Sequence, residues 1–379
     1  MNNIKNKLPN FDKMMILVID GCAPEYLTKE TAPDIFEIAE KCGFIKTVKS
    51  EMPSVTNVNH ACILSGRLPS ETKVVGNYYY HPQTGEEGFI EERGFMKAPT
   101  ILQVYKSHKK KTALLTVKGK VLGVYGEGAD IGISAQNPDA GLLEELGLKT
   151  PPAINSPFST EWILKAALAC IEKHSPDLVY CTNNDFIFHH YAPGSDEANQ
   201  QISFVNEYIR RIHELEPDRR IYITADHGMN QKYDLINFQH IADNQGLHLF
   251  CLPPLKDRYI ENHIYQEGGI LYLFLKDANE KEAILDLISK TPEIEKVMTA
   301  HEAAQTYGLP ENEIGDYVVF AAKGCAFGEV EGERLRTNDV RTHGSLYERK
   351  IPLIGINPVA SADYFHYNKD ITAVTLGIH

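Results

Sequence analysis

Met14-Met15-Ile16-Leu17-Val18-Ile19-Asp20-Gly21 is the stretch on which the fold turns. Six consecutive apolar residues without alternation read as a strand buried on both faces, and Asp20-Gly21 reads as the turn that ends it. Such a strand needs cover above and below. Working outward, the pattern supplies it: a helix over 32–41 with Pro33 at its start, a strand over 44–48, and a helix over 55–64 that opens at Ser54/Thr56 and stops at Gly66-Arg67-Leu68-Pro69. Strands over 112–117, 177–182, 220–225 and 351–356 follow, with helices over 159–173 and 197–215. This alternation predicts an α/β fold, a mostly parallel central sheet with helices on both faces.

Two stretches break the rhythm. Residues 77–152 are rich in Gly, Tyr and charge, with loop signals at His81-Pro82 and Asn137-Pro138. Residues 240–336 contain Gly268-Gly-Ile-Leu-Tyr-Leu-Phe-Leu, a helical pattern over 280–290 and strands near Ile294 and Tyr317, which predicts a smaller inserted α+β cap lobe. The expected division is a core of 1–118, 153–240 and 337–379, with the cap lobe at 241–336 together with part of 119–152. No internal repeat or low-complexity segment is present.

Of 379 residues, 43% are hydrophobic and 23% charged, which excludes a disordered chain. Asp and Glu outnumber Lys and Arg by 51 to 38, a net charge of −13 that repels nucleic-acid phosphates. An anionic substrate must therefore meet positive charge gathered locally. No apolar run approaches the roughly 20 residues of a membrane span, and the polar start followed by the short run 14–19 does not predict a secretory signal. Seven cysteines with no CxxC spacing exclude a thiolate zinc cluster, and their odd number suits a reducing cytoplasm.

Acidic and imidazole side chains gather where strands end. Asp20 follows the first strand; Asp185 lies just past 177–182, with His189 four residues on; Asp226-His227-Gly228 follows 220–225; His343 sits in Arg341-Thr-His-Gly-Ser. In an open α/β sheet ligands collect at the carboxyl ends of strands, so these groups are expected on one rim. Their oxygen and nitrogen donors suit two divalent ions such as Zn²⁺ or Mn²⁺. Singly, each has a plainer reading: an Asp after a strand usually caps a helix, i,i+4 pairs are common, and a lone His is usually structural, the role read for His60, His190, His240 and His263. Taken jointly, the plain reading needs four coincidences at strand ends. Thr56 is the candidate nucleophile, because a hydroxyl at a helix N-terminus sits in a positive field; the alternative is a simple N-cap. Lys118 and Lys120, two apart on an extended segment, are expected to point the same way as a compact dication, against the plain reading of a solvated strand end.

The motifs Val18-Ile-Asp20-Gly21, Pro53-Ser-Val-Thr56-Asn-Val-Asn-His60, Asp185 with His189, Thr224-Ala-Asp226-His227-Gly228-Met229 and Thr342-His343-Gly344 resemble the alkaline phosphatase superfamily. Within it, Gly76-Asn77, Thr116-Val-Lys118-Gly-Lys120 and His189-His190-Tyr-Ala-Pro-Gly194 resemble the phosphonoacetate hydrolase family, in the branch that also holds nucleotide pyrophosphatases/phosphodiesterases. The resemblance implies one ion on Asp20, Thr56, Asp226 and His227 and a second on Asp185, His189 and His343. Zn²⁺ is the first choice, and the same ligands accept Mn²⁺ or Fe²⁺. It also implies that Asn77 contacts a phosphoryl oxygen and that Lys118 and Lys120 hold a substrate carboxylate. The implied activity is hydrolysis of the C–P bond of phosphonoacetate to acetate and phosphate in phosphonate catabolism, by a cytoplasmic enzyme with a Thr56 nucleophile and a homodimeric habit. The rivals are a phosphodiesterase or nucleotide pyrophosphatase using the same site and, from another class, a non-catalytic anion- or metal-binding protein.

Overall fold

A computed structural model describes residues 11–256 and 268–378. The first ten residues and His263, read above as a structural histidine, lie outside the described residues. Seven strands form the central sheet in the order Gly43–Lys49, Lys350–Ile356, Arg220–Thr224, Met14–Val18, Leu178–Thr182, Thr112–Thr116 and Ile131–Ser134. Lys350–Ile356 runs antiparallel to both neighbours and the other pairings are parallel. Every residue of Met14–Val18, Thr112–Thr116 and Leu178–Thr182 is buried. Successive side chains on a strand face opposite ways, so both faces of the sheet are covered.

Two groups of helices provide that cover. Phe158–His174 packs on Asp196–Leu215, which also touches Pro33–Cys42; Thr56–Ser65 packs with Ile101–Ser107, Gly119–Tyr125 and Asp370–Leu376. Thr56–Ser65 is buried along its whole length. It ends at Gly66, where φ is 71° and a Cβ would come within 2.7 Å of the Ala373 nitrogen, so glycine alone suits both the turn and the helix contact.

Strand register decides where function can sit. Val18 lies opposite both Thr182 and Thr224, and Thr116 opposite Thr182. The four strands therefore end level, and the segments after them leave from one edge.

The irregular-looking stretch 77–152 is more ordered than its composition predicts. It holds the hairpin Tyr78–His81/Glu86–Phe89, the helices Ile101–Ser107, Gly119–Tyr125 and Ala140–Glu145, and the edge strand Ile131–Ser134 of the central sheet. The cap lobe is an antiparallel sheet of Leu249–Leu252, Ile270–Leu275, Tyr317–Ala321 and Ile294–Thr299, with helices Lys281–Ser289 and Ala300–Tyr307. A third sheet, Cys325–Phe327, Asn230–Ile236 and Arg334–Thr342, joins it to the core. The junction is tight: Gly269 N–H donates to the His343 carbonyl at 2.9 Å. Among the described residues no helix is long and apolar enough to cross a membrane.

Candidate active site

Asp20, Asp185, Asp226, His189, His227 and His343 are all buried, and they meet at the level strand ends. Candidate ligand atoms of Asp185, His189 and His343 lie within 4.8 Å of one another, as do those of Asp20, Asp185 and His227. Asp226 joins the second group, its Oδ2 3.3 Å from His227 Nε2. Asp185 thus reaches both groups, which its spacing in the chain does not foretell.

The imidazoles are aimed by main-chain carbonyls. His227 Nδ1 lies 2.9 Å from Gly228 O, His189 Nδ1 2.6 Å from Arg341 O, and His343 Nδ1 2.8 Å from Ser54 O. A carbonyl only accepts, so each Nδ1 carries the proton and each Nε2 presents a lone pair, the tautomer a metal ligand needs. Burial pushes the protonation of His227 down and that of His343 well down, the latter reinforced by His227 and His189. The rings of His227 and His343 stack with centroids 3.4 Å apart and 6° between planes.

The carboxylates show the same preparation. Asp20 N–H is held by Asn183 Oδ1 at 2.8 Å, and Asp226 Oδ1 accepts from Gly21 N–H and its neighbour's N–H at 3.1 and 3.0 Å. Burial, then the Asp20 charge, pushes the Asp226 carboxyl well up. Among the described residues, Asp20 Oδ1 and Asp226 Oδ2 are buried with no hydrogen-bond partner. Unmatched carboxylate oxygens beside inward-facing imidazole lone pairs fit borderline divalent cations, and the donor set is oxygen and nitrogen throughout.

Thr56 is the first helical residue, not the cap: that place belongs to Val55, in extended conformation with no side-chain bond. The Thr56 hydroxyl instead sits 3.2 Å from His227 Nε2. The N-cap alternative is thereby removed.

The segment carrying the two lysines differs from expectation. The strand stops at Thr116, Lys118 precedes the helix Gly119–Tyr125, and Lys120 lies in its first turn. Residues two apart on a helix do not face each other, so the two lysines do not share the direction an extended segment would give. Lys118 Nζ bridges Asp20 Oδ2 at 2.9 Å and Asp185 Oδ1 at 2.6 Å. Burial would lower its pKa, but the two carboxylates outweigh that and raise it. For Asp185 burial likewise pushes up, and Lys118 with His189 holds the carboxyl well below the usual range. Lys120 is buried. Asn77 Oδ1 accepts from Asn57 N–H at 3.3 Å and its Nδ2 donates to Leu255 O at 3.3 Å, which places it beside the Thr56 helix and under the cap lobe. The tyrosines that follow are packed: Tyr78 against Phe89, Tyr79 against Phe95, and Tyr80 against Phe250 and Phe274.

Sequence reading missed the supporting groups. Arg341 holds the Phe188 carbonyl with Nε at 2.9 Å while its own carbonyl takes His189. Asn183, two residues before Asp185, was within reach of the strand-end argument.

The structure is similar to phosphonoacetate hydrolase from Sinorhizobium meliloti 1021 in complex with phosphonoacetate, with a TM-score of 0.86 and 26% identity over 97% of this chain and 96% of that one. It shares the fold of alkaline phosphatase PafA at a TM-score of 0.70 and 12% identity, covering 99% and 97% of the two chains. An uncharacterised pyrophosphatase/phosphodiesterase of Schizosaccharomyces pombe is 23% identical over 57% of this chain, and the match spans 44% of that protein. Residues 14–346 match the family described as type I phosphodiesterase/nucleotide pyrophosphatase. The chain belongs to the type I phosphodiesterase/nucleotide pyrophosphatase family.

Proposed function

We propose that the chain is a hydrolase that cleaves the C–P bond of phosphonoacetate to give acetate and phosphate. The observation that carries this reading is the Lys118 ammonium, delivered to the edge of the carboxylate–imidazole cluster by the turn after Thr116. Likeness to the Sinorhizobium enzyme along nearly the whole chain supports it.

Asp20, Asp226, His227 and Thr56 would hold one divalent ion, and Asp185, His189 and His343 the other, with Zn²⁺ the proposed metal. Such ions supply charge that lowers the pKa of a nearby hydroxyl and neutralises phosphonate oxygens. Three aspartates and an ionised Thr56 balance two divalent ions, so the site alone is near neutral. A roughly trianionic phosphonoacetate then needs further positive charge, which Lys118 and Lys120 provide; a diester needs less.

Thr56 Oγ attacks phosphorus, forming the O–P bond as the P–C bond breaks. The electron pair moves onto the methylene carbon and spreads into the adjacent carboxylate, where the Lys118 ammonium, on a four-carbon stem, stabilises charge that grows in the transition state. Protonation of that carbon gives acetate. Water then displaces Thr56 from phosphorus and phosphate departs. Asn77 is proposed to contact a phosphoryl oxygen.

The family match favours a second reading, ester hydrolysis of a nucleotide at the same site. The packing of Tyr78, Tyr79 and Tyr80 against phenylalanine rings speaks against their serving as a stacking platform for a nucleotide base. Comparison of kcat/KM for phosphonoacetate and for a nitrophenyl nucleotide ester on metal-reconstituted enzyme tests the choice. The expected result favours phosphonoacetate, and an ester preferred by orders of magnitude would overturn the C–P assignment.

A further inference from the structure

Glu348 lies outside the ligand set, yet its side chain is completely buried. Its Oε1 accepts from Lys232 Nζ at 2.8 Å and from Asn230 Nδ2 at 2.9 Å. Its Oε2 accepts from Ser345 N–H at 2.9 Å and Ser345 Oγ at 2.5 Å. Its main-chain carbonyl accepts from Gly228 N–H at 2.7 Å. Five donors thus reach one residue from two segments, 228–232 directly after His227 and Ser345 directly after His343-Gly344.

The same node reaches the nucleophile. The Ser345 carbonyl accepts from Ser54 Oγ at 2.8 Å, and the Ser54 carbonyl takes His343 Nδ1. Ser54 stands two residues before Thr56. A displacement at Glu348 therefore reaches His227, His343 and the Thr56 loop together, and the two rings are already in stacking contact.

Stability alone is a weak reason for this arrangement. Lys232 is as buried as Glu348, and desolvation offsets most of the attraction in a buried ion pair. The carboxylate does offer what no apolar side chain can: two oxygens that tie separate loops at fixed distances. We propose that Glu348, with Lys232 as its counter-ion, is a positioning residue that sets the separation of His227 and His343 and thereby the affinity of the site for its ions. This role rests on the two-metal reading above.

The test measures Zn²⁺ affinity of the full chain by chelator competition, alongside Tm of the metal-free protein, for wild type, Glu348→Gln, Lys232→Met/Glu348→Gln and Ser345→Ala. Partners that orient metal ligands typically contribute 10–100-fold in affinity. Glu348→Gln is expected to lose affinity by about that factor and to lower Tm, because Lys232 is left buried without its counter-charge. The double variant removes the stranded charge and is expected to recover Tm while affinity stays low. Ser345→Ala, which leaves no charge unpaired, is expected to lose about tenfold in affinity with Tm nearly unchanged. Affinity that recovers in step with Tm, or that stays at the wild-type level in Ser345→Ala and Glu348→Gln, overturns the positioning role. Wild type that binds no Zn²⁺ overturns the two-metal reading itself, and this role with it.

Discussion

Three imidazoles on the rim each lean on a main-chain carbonyl, whereas Lys118 and Lys120 stand at the start of one short helix. The rim is thus set by strand register and backbone. Its side chains have few conformations open to them, and its geometry follows once the strands end level. The lysine side is set by side-chain choice at the start of a seven-residue helix, where Lys118 and Lys120 part company although a single residue separates them. The contrast teaches that the imidazoles are placed by backbone and strand register and the two lysines by side-chain choice at a helix start, with Lys118 tying the two regions together through Asp20 and Asp185.

The largest expected effect tests the rim. Thr56→Ala should lower kcat on either substrate by at least about 10³-fold, as loss of a nucleophile does in other covalent catalysts. Turnover within tenfold of wild type would break the comparison by showing that the attacking group lies elsewhere. Next comes the lysine side: Lys118→Met should reduce kcat/KM for phosphonoacetate by about 10²-fold, the scale of one removed electrostatic contact to a transition state, but reduce ester turnover by less than about tenfold. Parallel losses on the two substrates would mean that Lys118 supports the rim, as its contacts with Asp20 and Asp185 allow, and does not read the carboxylate.

The smallest effect sharpens the picture of what underlies the rim. Glu51 is buried behind the nucleophile loop, its N–H donating to Asn59 Oδ1 at 2.8 Å. Burial pushes its carboxyl up to about 7, with Lys369 and Arg349 pulling the other way. Because the folded pKa exceeds the unfolded value, this group contributes stability that is full below about 4.5 and lost as pH rises through about 7. Glu51→Gln should therefore raise Tm by about 1–2 °C at pH 8, equivalent to about 1 kcal/mol in a chain of this size, and change it little at pH 5. An equal shift at both pH values would assign the effect to packing instead of charge.

How much was legible follows from the same contrast. Asp20, Asp185 and Asp226 stand two or three residues beyond strand ends, and unbroken apolar runs locate those ends well. The extended reading of the segment carrying Lys118 and Lys120 fails because Thr116-Val117 continues the strand pattern and Gly119 resembles a break, while a helix of seven residues has too little length to show a period. The edge strand Ile131–Ser134 has four residues, one a glycine, and alternation cannot reveal so little. Glu348 and Lys232 are 116 positions apart and meet only after the third sheet has formed. Asp185 could be assigned to one ion from sequence, but only coordinates show that it touches both ligand groups.

The contact of Gly269 with His343 carries a practical consequence. A methyl group on Gly269 would fall 2.2 Å from the Ser345 Cβ, so the central strand of the cap lobe starts with no room between it and the segment bearing an imidazole. Any attempt to graft the lobe of a relative onto this scaffold must transplant 268–270 and 343–345 as a matched pair, since a lobe inserted without its seam would wedge the catalytic centre apart.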